Sequence, residues 1–291
     1  MNLDLLGMFQ SLDDTPFDRE GFELAPFPYP GAKNRSMSQL MTYIPYGTSW
    51  IEGFGGSGAV TLARKPSKLD VFNERHAGIT SFYRCIRDRQ KKDQLIERLD
   101  LTIHSREEYE WSRDTWECNW LDEVERAARW YYSLIYSFAS VGRNFGRAKS
   151  GLSNVTFAGK LRDKLELFEA IHDRFKYVQV ENLDWRHVLK DFDEEGAVFY
   201  LDPPYYGKNV YQHNMSHSDH VELCKRIFDC HGFVALSGYD NPVYDQFPWD
   251  RKESWNVRVT VTTKATTTDT SNVTRIGSEE AQECLWIKEF S

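Results

Sequence analysis

Apolar and polar positions follow three different rhythms along this chain. Near the start, Ser49-Trp-Ile-Glu52 runs into the glycine-rich Gly53-Phe-Gly-Gly-Ser-Gly58 and then into Ala59-Val-Thr-Leu62, the order of a short strand, a tight turn and an apolar helix start. Leu69-Asp-Val-Phe-Asn73 repeats the strand and ends on an acid, Glu74. Val198-Phe-Tyr-Leu201 is another apolar run, stopped by Asp202-Pro203-Pro204-Tyr205. Neither proline offers an N–H to a sheet, and Pro204 confines Pro203 to extended backbone, so the chain leaves the sheet stiffly here. Residues 86–138 keep a different period. They contain neither glycine nor proline and set Leu, Ile, Trp and Tyr among dense charges, which predicts consecutive amphipathic helices inserted into the sheet-forming sequence. The aromatic run Ala127 to Phe138 reads as packing between that insert and the sheet. Near the end, Arg258 to Thr263 alternates like a strand and Glu283 to Phe290 like its partner, with polar Lys264 to Gln282 as the loop between them.

These rhythms predict an α/β fold with a Rossmann-like sheet. An acidic tail occupies residues 1–24, one sizeable catalytic domain combines 25–85 with 175–291, and a helical insert fills 86–174. With 36 basic and 44 acidic residues the formal charge is -8, which argues against a protein that coats nucleic acid along its whole surface. A focused basic cleft is still allowed. Ser140 to Asn154 is flexible, polar and free of acids; Arg143, Arg147 and Lys149 suit phosphates, and Asn144 suits base edges or backbone. The alternative is an ordinary solvated loop. Five scattered cysteines without metal spacing suit reduced thiols, and no leader or membrane-spanning run is evident, so a cytoplasmic site is expected.

The chemistry-bearing residues lie at the strand ends. Asp202, the Pro203 carbonyl and the Tyr205 ring together present two acceptors and an aromatic face, which suits an exocyclic amine on a flat ring; the bland alternative is a rigid turn with an aromatic plug. Gly55, Gly56 and Gly58 let backbone approach a ligand, with Ser57 beside the helix start. Glu74 stands where a Rossmann-like sheet offers a carboxylate to a ribose diol. Tyr29 and Lys33 add a ring and a cation ahead of this loop. His213, His217 and His220 have no accompanying cysteine and lie among cap-forming polar residues, so a loop and helix cap is preferred to a metal site.

The order Tyr29-Pro-Gly-Ala-Lys33, Glu52-Gly-Phe-Gly-Gly-Ser-Gly58, Asn73-Glu-Arg-His76, a long insert and then Asp202-Pro-Pro-Tyr205 resembles the DNA adenine-N6 methyltransferases of the Dam type, the D12 class, over most of residues 26–290. Phe233 to Asp240 and Glu283 to Lys288 resemble that family's later core strands. The resemblance implies an S-adenosylmethionine-dependent methyltransferase sheet and double-stranded DNA as partner. It assigns Tyr29, Lys33, Phe54, Gly55, Gly56, Ser57, Glu74, Asp184 and Asp202 to the cofactor. Asp202, Pro203 and Tyr205 become catalytic, with Tyr206 as a second aromatic candidate, and Arg143, Asn144, Arg147 and Lys149 face DNA. Phe138-Ala-Ser140 stands where an asparagine is common in the family, so no recognition sequence is carried over.

The chemistry agrees with this assignment. An exocyclic amine shares its lone pair with the ring and is a poor nucleophile; two acceptors on its N–H groups draw the nitrogen toward tetrahedral geometry, and no metal is needed. A base inside a duplex must be flipped out to reach them. The same geometry serves cytosine N4 or an RNA base, and a catalytically silent DNA-binding module on the same fold is a further alternative.

Overall fold

Why the strands form where they do follows from their burial. The computed structural model of the chain describes residues 24–29, 31, 33, 36–137, 144–146, 154–207, 214–264 and 274–290. Helix α1 (Met37–Tyr43) leads into β1 (Ser49–Glu52), then α2 (Ala59–Ala63) and β2 (Leu69–Asn73). Every residue of β1, and four of the five in β2, is buried, as a parallel strand covered on both faces requires. Helices α3 (Ala77–Arg87), α4 (Arg89–Asp100), α5 (Arg106–Thr115), α6 (Glu123–Ile135), α7 (Asn154–Leu165) and α8 (Phe168–Phe175) intervene before β3 (Val178–Glu181). Then come α9 (Trp185–Asp191), β4 (Ala197–Leu201), α10 (His217–Asp229), β5 (Phe233–Tyr239), β6 (Arg251–Lys264) and β7 (Thr274–Lys288).

The sheet order is β3-β2-β1-β4-β5-β7-β6. The first five strands are parallel, while β7 runs antiparallel to both β5 and β6. Alternate side chains divide between the faces. Trp50, Val198 and Tyr200 pack toward α1 and α2, whereas Ile51, Phe199 and Leu201 pack toward α9 and α10. This is an α/β fold with a mostly parallel, Rossmann-like sheet, as the sequence predicts. No helix among the described residues is long and apolar enough to cross a membrane.

The helices predicted between 86 and 138 are present, each begun by a capping side chain. Asp88, Ser105 and Asp122 accept the N–H of Lys91, Glu108 and Glu125 in the first turns of α4, α5 and α6. They do not stand apart from the sheet. Phe82 of α3 stacks on Tyr131 of α6 at 5.0 Å and meets Phe168 of α8 at 5.4 Å, and Phe175 of α8 reaches Phe72 of β2 at 5.4 Å. One aromatic core therefore joins α3, α6 and α8 to the edge of the sheet.

The expectation at the carboxyl end needs correction. Lys264 to Gln282 is not all loop, because β7 begins at Thr274 and β6 begins at Arg251 and extends to Lys264. The register runs unbroken from Arg251 opposite Ile287 to Lys264 opposite Thr274. A two-stranded ribbon satisfies its backbone through its own ladder whether or not the side chains are apolar, so polarity alone misplaced its ends.

Phe82→Ala is expected to cost about 3–5 kcal/mol. In chemical denaturation, helical circular dichroism and tryptophan fluorescence should still report one coincident transition; separate transitions would show that the helices of 86–174 do not share this core.

Candidate active site

Strand order changes direction at β1. Its neighbours are β2 and β4, so the loops leaving β1 and β4 open a crevice at the carboxyl edge, where such sheets take ligands. A cavity of about 370 Å³ occupies it. Phe54, Gly55, Gly56 and Ser57 line it from the loop after β1, Glu74 from the end of β2 and Asp184 from the end of β3. Asp202 lines it from the end of β4, and Tyr29 and Lys33 from the segment before α1. All nine residues assigned to a cofactor from sequence thus share one cavity.

Local hydrogen bonds shape its floor. Gly55 donates to the Asn73 carbonyl at 2.8 Å and Gly58 to the Gly55 carbonyl at 2.8 Å. A Cβ on Gly55 would fall 2.1 Å from the Phe72 ring, and one on Gly58, at φ 70°, would fall 2.4 Å from the Tyr83 hydroxyl. These glycines are needed by rings of β2 and α3 as well as by any ligand. Glu74 receives the N–H of Gly56 on one oxygen and that of His76 on the other, both at 2.8 Å. Burial pushes its carboxyl up against those donors and a further backbone hydrogen bond from Arg75, and three donors leave the carboxylate with acceptor capacity to spare. Asp184 caps α9 by accepting from Arg186 N–H at 3.0 Å and pairs with Arg75 at 2.7 Å. Burial alone would raise it, yet Arg186 and Arg75 hold it below the usual range.

Two further acids complete the site. Glu52, buried at the end of β1, is pushed up to about 8 by burial, with Asp202 and Glu74 adding to the effect and Thr61 opposing it. An acid closing an apolar strand was its sequence signal. Glu283, in β7, is also buried and had none, since its place depends on antiparallel pairing with Tyr239 across residues 239–283.

At the end of β4 the side chains form one polar cluster. The Lys33 ammonium is bonded to Asp202 Oδ2, donates to the Tyr205 hydroxyl at 2.7 Å and to the Gly31 carbonyl at 3.1 Å, and lies 3.6 Å from Glu283 Oε1. Its three N–H donors are spent. Burial opposes the ammonium charge, but Asp202 and Glu283 outweigh it and raise the Lys33 pKa. Tyr205 passes its own hydroxyl hydrogen to Glu283 Oε1 at 2.5 Å, and Ser237 donates to the same oxygen at 2.9 Å. Asp202 is raised by burial and by Glu283, against Lys33 and Tyr205, to about 6. Its other oxygen, Oδ1, is buried without a hydrogen-bond partner. Asp202 is thus an acceptor held at one oxygen and unsatisfied at the other.

Sequence comparison addresses what this arrangement belongs to. The D12 class N6 adenine-specific DNA methyltransferase family matches residues 29–241, from Tyr29 past the end of β5. The chain belongs to this D12 class. It is also similar to a DNA N-6-adenine-methyltransferase of Escherichia phage P1, 26% identical over 191 residues, which cover 63% of this chain and 24% of that protein. The chain thus spans about a quarter of the length of that relative.

For a D12-class chain the remaining assignments fall out unevenly. Pro203 is buried beside Asp202. Tyr205 is 7% exposed, with its ring edge-on to Tyr239 at 4.5 Å and its hydroxyl inside the cluster, while Tyr206 is 37% exposed. Asn144 is exposed beside Phe145, which bridges to Ser137 and lies under the Arg106 guanidinium at 5.0 Å. Arg143, Arg147 and Lys149 lie outside the described residues, as does His213. Ser216 caps α10 with a reciprocal bond to Asp219, and His220 inside that helix contacts the Tyr244 hydroxyl at 2.7 Å. Burial pushes His220 down to about 4. Among the described residues no group of three or more His, Cys, Asp and Glu side chains is arranged to hold a metal ion.

Removing the cation tests the cluster. Lys33→Met should cost about 3–5 kcal/mol, because two buried carboxylates then face each other unpaired. The loss measured in denaturant should be larger at pH 8 than at pH 5, where Asp202 is protonated; equal losses would show that charge pairing is not what Lys33 supplies.

Proposed function

We propose that this chain transfers a methyl group from S-adenosylmethionine to the N6 amine of adenine in double-stranded DNA. The observation that carries the reading is the unsatisfied Oδ1 of Asp202, a residue lining the cavity of a D12-class chain. The residues fit the cofactor: Glu74 retains lone pairs for a ribose diol, the loop from Phe54 to Ser57 gives a close backbone floor, and Tyr29, Lys33 and Asp184 complete the wall. The acids Glu52, Glu74 and Asp202 make the cavity favourable to a cation. When bound, S-adenosylmethionine supplies an electrophilic methyl on a sulfonium.

Catalysis then rests on orientation. Asp202 Oδ1 and the Pro203 carbonyl accept the two N6–H groups, releasing the nitrogen lone pair from the ring and directing it to the methyl. As positive charge develops on N6, its bond to the Asp202 carboxylate strengthens, which stabilises the transition state more than the ground state. Alkylation leaves an N6–H to be lost; Asp202, at about 6, is basic enough to accept that proton while the electron pair stays on nitrogen. Lys33 keeps its bond to Oδ2 and prevents the carboxylate from turning away. A flipped base needs an aromatic face, for which Tyr205 and the more exposed Tyr206 are the candidates. Arg143, Asn144, Arg147 and Lys149 are assigned to the DNA, on the strength of an acid-free basic segment in an acidic chain. DNA as substrate also supports a cytoplasmic place of action.

The test is transfer of labelled methyl to unmethylated duplex DNA, followed by digestion to nucleosides. Label is expected in N6-methyladenine and absent with Asp202→Ala. Label in N4-methylcytosine or in RNA would replace the substrate, and cofactor binding without transfer would favour a silent module. The rate should fall about tenfold per pH unit below roughly pH 6 as Asp202 protonates. A rate flat from pH 7 to pH 5 would remove Asp202 carboxylate from the mechanism.

A further inference from the structure

Glu283 lies beyond residues 29–241, which carry the family match, yet it touches the centre of the site. Strand β7 returns antiparallel beside β5 and sets Glu283 opposite Tyr239. There it is 4% exposed. One oxygen, Oε1, accepts the Tyr205 hydroxyl at 2.5 Å and the Ser237 hydroxyl at 2.9 Å, and stands 3.6 Å from the Lys33 ammonium. The same ammonium is bonded to Asp202. One cation therefore sits between two carboxylates, Glu283 buried and Asp202 17% exposed, and Tyr205 bridges from it to Glu283.

A buried carboxylate is costly unless paired and hydrogen-bonded, and Oε1 of Glu283 takes its partners Tyr205, Ser237 and Lys33 from the cluster around Asp202. We propose that Glu283 is a positioning residue for methyl transfer, holding Lys33 and Tyr205 against Asp202 and offsetting the Lys33 charge so that Asp202 remains a strong acceptor. This rests on the methyltransferase reading above. Without the second carboxylate, Lys33 would be left with Asp202 as its sole anionic partner in the cluster and would draw charge from it, weakening its bonds to the amine. The other groups coupled to this cluster among the described residues are Tyr200 on β4, Tyr239 on β5, Tyr244 after β5 and Glu52 on β1, each electrostatically coupled to Asp202 or Glu283. Burial keeps Tyr200 and Tyr244 protonated well above the usual range and raises Tyr239 too, so among these groups Glu52, pushed up to about 8, is the one whose charge changes near neutrality.

Glu283→Gln tests this, because the amide carbonyl can still accept from Tyr205 and Ser237 while the charge is gone. Turnover on unmethylated duplex DNA is expected to fall roughly tenfold or more, with KM for DNA and S-adenosylmethionine changed little. The acid limb of the rate profile should move to lower pH, since a carboxylate that raises the Asp202 pKa has been removed. Carboxyl 13C NMR of Asp202 in wild type and variant, without substrate, should show the same downward shift. A Glu283 that merely supports the fold would lower the melting temperature and leave both pH responses unmoved; that result overturns the proposal. If wild type fails to methylate DNA, the function reading fails, while the NMR titration still decides whether Glu283 governs Asp202.

Discussion

One ammonium taken out of water organises this molecule. Lys33 is buried, and a buried charge persists only where acceptors surround it. Its partners are Gly31 beside it and two remote parts of the chain, Asp202 and Tyr205 after β4 and Glu283 on β7. Meeting that requirement brings the segment before α1 over the sheet's carboxyl edge. It also gives the antiparallel return of β7 a chemical consequence, since that strand carries the second carboxylate into place. The stiffness of Pro203 and Pro204 serves the same end, because a flexible exit from β4 would let Asp202 turn until both its oxygens were satisfied, whereas here Oδ1 is left without a partner.

The cavity floor and the helices of the insert are mechanically one body. Tyr83 on α3 donates its hydroxyl to the Ser57 carbonyl at 2.5 Å and stacks on Phe175 of α8 at 4.1 Å. His76, on the cavity wall, stacks on Trp116 just after α5 at 5.3 Å. Close-packed rings transmit displacement rather than absorbing it. Rearrangement of the insert helices would therefore reach the glycine loop through Tyr83 and the wall through His76, whereas the Asp202 cluster, on the other side of β1, is held by β4, β5 and β7.

Legibility in the sequence tracked how local each constraint is. Asp202-Pro-Pro-Tyr205 was readable because two prolines force an exit wherever they stand, and the glycine loop because its turn is set by consecutive residues. The reason Gly55 and Gly58 must be glycine was only half readable: Phe72 and Tyr83 crowd them from other elements. Glu283 carried no signal, as its meaning comes from a register that pairs it with Tyr239, and Tyr205 looked like an open ring although its hydroxyl ties it inward. The length of the terminal ribbon was lost for a related reason, because ladder pairing does not need the apolar alternation by which strands are recognised.

Charge in the cavity poses the last physical problem. Glu52, Glu74 and Asp202 share one wall, and three full negative charges at close range would repel one another and an approaching polyanion alike. The protein mitigates this by placement. Lys33 cancels one charge directly, backbone N–H groups of Gly56 and His76 spread that of Glu74, and Glu52, at about 8, stays largely protonated near neutrality. A cation entering the cavity would reverse the last balance, because the ionised form of Glu52 becomes favourable beside positive charge. Glu52 is thus the acid of this wall whose charge would respond most to a cation placed beside it.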